Sequence, residues 1–151
     1  MIDRSYADFA WEQAAALLGI DSPSGFTANA AQWVKNAFES LGCPARITTK
    51  GGVLVELGGK NAGDALFLEA HTDTLGAMVS QIKGNGRLKL TPLGGMSPNN
   101  AEAENVRVYT RSGKIYEGTC QLADASVHVN GNYADTKRTY DTIEIVLDES
   151  V

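Results

Sequence analysis

Cysteine is scarce in this sequence: Cys43 and Cys120 are the only two among 151 residues, they lie far apart, and they form no CxxC pair. That spacing excludes a disulfide framework and a cysteine-built zinc site, and leaves two buried free thiols in a reducing compartment as the expectation. Long apolar runs are also missing. No stretch approaches the roughly 20 residues of a membrane span, and Asp3, Arg4 and Asp8 interrupt the segment where a signal peptide would keep its apolar core. A cytoplasmic protein without membrane contact is therefore expected. Basic charge is in deficit, with 13 Lys and Arg against 18 Asp and Glu for a net charge of −5, and no segment concentrates bases beside aromatics. Nucleic acid is disfavoured as a partner. Gly51-Gly52 and Gly94-Gly95 lack the spacing and the strand-to-helix context of a phosphate loop, so they read as turns.

What is present suffices for a folded core, since 43% of the residues are hydrophobic, enough for one domain or two small ones. Phe9, Trp11, Ala14, Ala15, Leu17 and Leu18 recur at helical spacing and Gly19 follows, which predicts a helix over 6–18. A second helix is predicted after Ser22-Pro23-Ser24-Gly25, where a serine can cap the first turn, running through Trp33, Val34 and Phe38 to stop at Gly42 with Pro44 beyond. Short β-type runs at 45–49 and 53–57 flank Lys50-Gly51-Gly52, the signature of a hairpin, and a loop over 58–63 follows.

The run Ala65-Leu66-Phe67-Leu68-Glu69-Ala70 is apolar on both faces, as a central strand covered by helices on each side would be, and it delivers His71 at its carboxyl end. Beyond Thr74 the pattern is all β. Six strands are expected, over 77–82, 87–91, 105–110, 114–119, 125–129 and 142–147, with turns at Gly84-Asn85-Gly86, Gly94-Gly95, Ser112-Gly113 and Asn130-Gly131-Asn132. The predicted fold class is thus α/β: part of a helix-flanked mixed sheet, followed by a small closed or partly closed β domain. The boundary falls beside His71 and Asp73.

Only Glu69-Ala70-His71-Thr72-Asp73 has catalytic flavour. Residues i and i+2 of an extended segment face the same side, so His71 and Asp73 can project together from the strand end. A metal-bound imidazole gives its second ring N–H to a carboxylate, and Asp73 is placed to be that carboxylate. A His-x-Asp triplet alone is weak, because such residues fall together often. An apolar strand leading into it at a domain junction makes the metal reading the stronger one. His128, between Val127 and Val129, reads as a strand-face residue, and Glu102, Glu104, Asp124, Asp135, Asp141, Asp148 and Glu149 read as solvated.

Ser22-Pro23-Ser24-Gly25, then Gly51-Gly52-Val53-Leu54-Val55-Glu56, then Leu68-Glu69-Ala70-His71-Thr72-Asp73-Thr74-Leu75-Gly76-Ala77-Met78-Val79, then Leu93-Gly94-Gly95, follow one another along nearly the whole chain. In this the sequence resembles the tetrahedral-type (TET) zinc metallo-aminopeptidases, which include glutamyl and deblocking aminopeptidases and endoglucanase-labelled relatives. The resemblance implies a two-zinc hydrolase of peptide amino termini, with His71 binding one zinc and Asp73 orienting it; cobalt or manganese are alternative ions. It implies residues 1–73 as the amino-terminal part of the peptidase domain, 74–148 as an inserted PDZ-like or barrel-like β domain through which the protein forms homo-oligomers, and 149–151 as the start of the return to the α/β domain. Where the family has an acidic residue after the Asp, this chain has Thr74, and the other ligands and the general base are expected beyond Val151.

The chain alone is therefore expected to be inactive on peptides. A non-catalytic assembly module is the alternative. A carboxypeptidase or deacylase relationship is disfavoured by the all-β pattern after Thr74, and glycoside cleavage by the lack of two opposed carboxylates.

Overall fold

Asp3 opens the first helix, α1 (Arg4–Leu18), by accepting the Ser5 backbone N–H at 3.1 Å, one of the donors that a helix start leaves unpaired. These contacts are taken from a computed structural model, which describes residues 3–61 and 63–149. The chain forms two compact units, one ending at Leu75 and the other starting at Gly76. No described helix is long and apolar enough to cross a membrane.

In the first unit α1 ends at Gly19, whose N–H donates to Ala15 O at 3.2 Å. The second helix, α2 (Ala28–Ser40), starts later than the serine-cap reading placed it: Thr27 occupies the cap position and its side chain makes no capping bond. The serines of 22–24 are engaged elsewhere, as described below. The predicted stop at Gly42 is realised. Gly42 takes φ +79°, its N–H reaches Glu39 O at 2.9 Å, and the Cys43 N–H reaches Phe38 O at 3.0 Å, the paired bonds of a Schellman ending.

Pro44 leads into β1 (Ala45–Ile47), which pairs antiparallel with β2 (Val53–Val55) in the register Ala45↔Val55 and Ile47↔Val53. The turn closes through Thr48 N–H to Gly52 O at 2.8 Å, with Gly51 at φ +85°. Both strands are shorter than predicted. In the loop that follows, Ala62 lies outside the described residues.

The central strand expected over 65–70 is not formed. Leu66, Phe67 and Leu68 are 85%, 71% and 73% exposed, and the segment belongs to no sheet. A strand inside a sheet needs a hydrogen-bonded neighbour along each edge. Among the described residues the first unit offers only the two-stranded β1–β2 sheet, which does not extend to 65–70. The expectation of a mixed sheet is corrected likewise: both sheets are antiparallel, and the one parallel pairing is an isolated bridge between Pro23 and Thr74.

The second unit is a five-stranded sheet of β3 (Gly76–Ile82), β4 (Leu88–Leu93), β5 (Asn105–Tyr109), β6 (Ile115–Leu122) and β7 (Ile143–Leu147) in the order β3-β4-β7-β6-β5. Its core gathers Leu88, Ala101, Cys120, Leu122, Ile143 and Ile145. Burial pushes the Cys120 thiol up, toward its neutral form. On the opposite face of β7 from Ile143 and Ile145, Glu144 is buried and ion-paired to Lys83, with Arg87 Nη1 at 3.7 Å.

Two expectations fail in this unit. Residues 125–129 form a turn instead of a sixth strand, since Ser126 accepts the Val129 and Asn130 N–H groups at its carbonyl and the His128 N–H at its hydroxyl, local bonds that displace a ladder. A one-turn helix absent from the sequence reading, α3 (Pro98–Ala101), opens with Pro98, whose missing N–H costs a helix start nothing.

The connection from β6 to β7 is fastened by Arg138. Its Nε donates to Glu102 Oε2 at 2.7 Å and its Nη2 to Oε1 at 3.2 Å, while the guanidinium lies over the Tyr133 ring and Nη1 donates to the Tyr133 and Thr136 carbonyls. The Arg138 hydrogen bonds hold the Glu102 carboxyl below its ordinary range. A depressed carboxyl contributes stability above its unfolded pKa and loses it as pH falls through the folded value. The melting-temperature gap between the parent and Arg138→Gln is expected to be widest near neutrality and to narrow as pH falls through the acid range, measured by calorimetry.

At Gly118, a Cβ would lie 2.5 Å from Val146 O on β7. Gly118→Ala should lower unfolding free energy by about 2 kcal/mol in urea titrations, the usual cost of overpacking. An unchanged midpoint would mean that β6 and β7 are not so close.

Candidate functional site

The site is built within the first unit, where residues 22–24 and 72–74 run side by side. Ser22 is fully buried and ties the two segments. Its Oγ donates to Thr72 O at 2.8 Å, its N–H to Thr74 Oγ1 at 3.3 Å, and its carbonyl accepts the Thr74 N–H at 3.0 Å. Thr74, standing where an acidic residue was expected, thus has its hydroxyl committed to a structural bond. These contacts join positions 50 and 52 apart in sequence, and their effect is to fix the backbone on which His71 and Asp73 sit.

His71 and Asp73 come together as the i, i+2 spacing predicts. His71 Nδ1 lies 3.2 Å from Asp73 Oδ1 and 3.2 Å from the Asp73 backbone carbonyl. A carbonyl oxygen and a carboxylate are acceptors only, so a hydrogen bond at Nδ1 requires the proton to be there. In the neutral imidazole Nε2 then carries the free lone pair. With 86% of its side chain exposed, His71 offers that lone pair to solvent.

The other oxygen of the carboxylate is held too. Ser24 Oγ donates to Asp73 Oδ2 at 2.8 Å, and this bond, the largest influence, keeps the Asp73 carboxyl below its usual range against the opposing effect of desolvation, with the charge and hydrogen bond of His71 adding to it. Asp73 therefore stays ionised at neutral pH. Ser24, Thr27, Gly51, Gly52, Ala70, His71, Thr72 and Asp73 line an open depression of about 330 Å³. Ser22 and Ser24 escaped the sequence reading, which gave them to the helix start. The only local signal was that Ser22-Pro23-Ser24-Gly25 belonged to the pattern carrying the family resemblance.

An imidazole with its far nitrogen bonded to a carboxylate fits one arm of a zinc site. A catalytic zinc needs about three protein ligands and an open position, and no cluster of three or more His, Cys, Asp or Glu residues occurs among the described residues. The residues present therefore fit a single coordination bond and do not fit a complete site. His128 stands in the 126–129 turn of the second unit. Of the acidic residues read as solvated, Glu102 pairs with Arg138 and Glu149 with Lys114.

Residues 51–151 match the family model of the M42 glutamyl aminopeptidases. The chain is 37% identical over 135 residues to the putative aminopeptidase YhfE of Bacillus subtilis, a match covering 89% of this chain and 39% of that protein. It is 30% identical over 105 residues to the glutamyl aminopeptidase of Lactococcus lactis subsp. cremoris, covering 69% of this chain and 30% of that one. In fold it is similar to a TET aminopeptidase from the marine sediment archaeon Thaumarchaeota archaeon SCGC AB-539-E09, with a TM-score of 0.76 at 21% identity over 95% of this chain and 39% of that one. The chain thus spans well under half the length of the relatives it matches. The family-model match over two thirds of the sequence shows that the chain belongs to the M42 glutamyl aminopeptidase family.

Proposed function

We propose that this chain supplies the amino-terminal portion of a two-zinc aminopeptidase acting on the amino-terminal residues of peptides, and that it has no peptidase activity alone. The observation that carries the reading is the His71–Asp73 pair: a carboxylate holds the Nδ1 proton and leaves Nε2 open at a depression in the surface. In this reading His71 would hold one zinc through Nε2, and Asp73 orients the ring and makes it a better donor. Bound zinc, or cobalt or manganese in its place, would supply an activated water and polarise the peptide carbonyl. The chain's own residues bind and orient.

We assign residues 1–73 to the peptidase domain, 74–148 to an inserted β domain of PDZ-like or barrel-like type, and 149–151 to the chain's return, of which residues 150 and 151 lie outside the described set. The protein acts as a homo-oligomer joined through the β domain, in the cytoplasm. Two features support assembly. Strand β3 is an edge of its sheet, with Met78 and Ile82 exposed along it. In the first unit Tyr6, Trp11 and Leu18 of α1, like Leu66, Phe67 and Leu68, stand in solvent. The same features favour the second reading, a non-catalytic assembly module.

Assay of the purified 151-residue chain with zinc, cobalt or manganese on unblocked peptides is expected to show no release of amino-terminal residues above the metal-only blank. Metal-dependent release that disappears in His71→Ala would contradict the proposal that the chain is inactive alone.

A further inference from the structure

Asp73 has one oxygen on His71 and the other on Ser24. A carboxylate attached through a single rotatable side chain and 43% exposed has several rotamers open to it, of which only some place Oδ1 against Nδ1. The Ser24 hydroxyl, donating at 2.8 Å to Oδ2, selects among them. Its own placement is secured by the two residues before it. Pro23 fixes the backbone dihedral just before it and bridges to Thr74, and Ser22, one residue earlier, is buried and bonded to Thr72 and Thr74.

We propose that Ser24 is a positioning residue: it locks the Asp73 carboxylate so that the His71 imidazole is held as the Nδ1–H tautomer, with Nε2 facing outward as the donor atom. The inference rests on the reading of His71 as a ligand arm. It adds that a hydroxyl 49 residues away in sequence steadies the carboxylate that, beside the Asp73 carbonyl, faces Nδ1. Ser24→Ala removes the hydroxyl from an exposed position and leaves the buried Ser22 bonds in place, while Ser24→Thr keeps a hydroxyl at the same point.

The test is the ring-nitrogen NMR spectrum of the metal-free full chain, recorded above the range where imidazole protonates, with His128 as the reference within the same molecule. Parent and Ser24→Thr are expected to show His71 Nδ1 at the protonated, pyrrole-type position and Nε2 at the bare, pyridine-type position. Ser24→Ala is expected to move both signals toward each other as the second tautomer becomes populated, and Asp73→Ala to move them further, with His128 unchanged in all four.

A Ser24→Ala spectrum identical to the parent's, with Asp73→Ala shifted, would overturn the role of Ser24 and leave the His71–Asp73 pair standing. A parent spectrum with the proton on Nε2 would overturn both the role of Ser24 and the ligand-arm reading.

Discussion

The ligand arm proposed for this chain depends on where one proton sits on one imidazole. Asp73 presents two acceptors to His71 Nδ1, its carboxylate and its own carbonyl, each at 3.2 Å, and that places the proton on Nδ1 and the lone pair on Nε2. A metal takes a lone pair, so the same ring with its proton on the other nitrogen would offer nothing outward. The ionised state of Asp73 follows from its two partners, Ser24 first and His71 after it, and not from burial, which acts in the opposite sense. The Ser22–Thr74 clamp below the pair is what keeps an otherwise irregular segment in register.

The two units secure their folds by different means. The second has an apolar core of Leu88, Cys120, Leu122, Ile143 and Ile145. Its buried Glu144 is ion-paired to Lys83 and Arg87, although Oε2 has no hydrogen-bond partner among the described residues. The half-buried Glu102 pairs with Arg138. The first buries Ala30, Ala31 and Ser22 and leaves α1 without a buried residue. Several of its large apolar side chains, Trp11, Leu41 and Phe67 among them, stand in solvent. Exposure on that scale marks surface suited to association, in line with the assembly proposed for the protein.

Much of this architecture was legible from the sequence. Helical periodicity followed by glycine located α1 and α2, and β1, β2 and β3 to β7 were found from short apolar runs set between glycine-bearing turns. What failed had physical reasons. The 65–70 run is apolar on both faces and so reads as a sandwiched strand, but pairing requires neighbours that the described residues do not provide. The valines at 127 and 129 alternate like a strand, yet Ser126 captures the local N–H groups first. His71 and Asp73 could be paired because they are two residues apart. Ser24 could not, because its contact with Asp73 spans 49 residues and no local pattern encodes it.

The most direct measurement of the central claim is a zinc titration of the isotopically labelled chain, following the ring nitrogens of both histidines. The account predicts that zinc perturbs His71 Nε2 while the Nδ1–H signal persists, and that His128 does not respond. Displacement of the Nδ1 proton by zinc, or a response from His128 with none from His71, would contradict it.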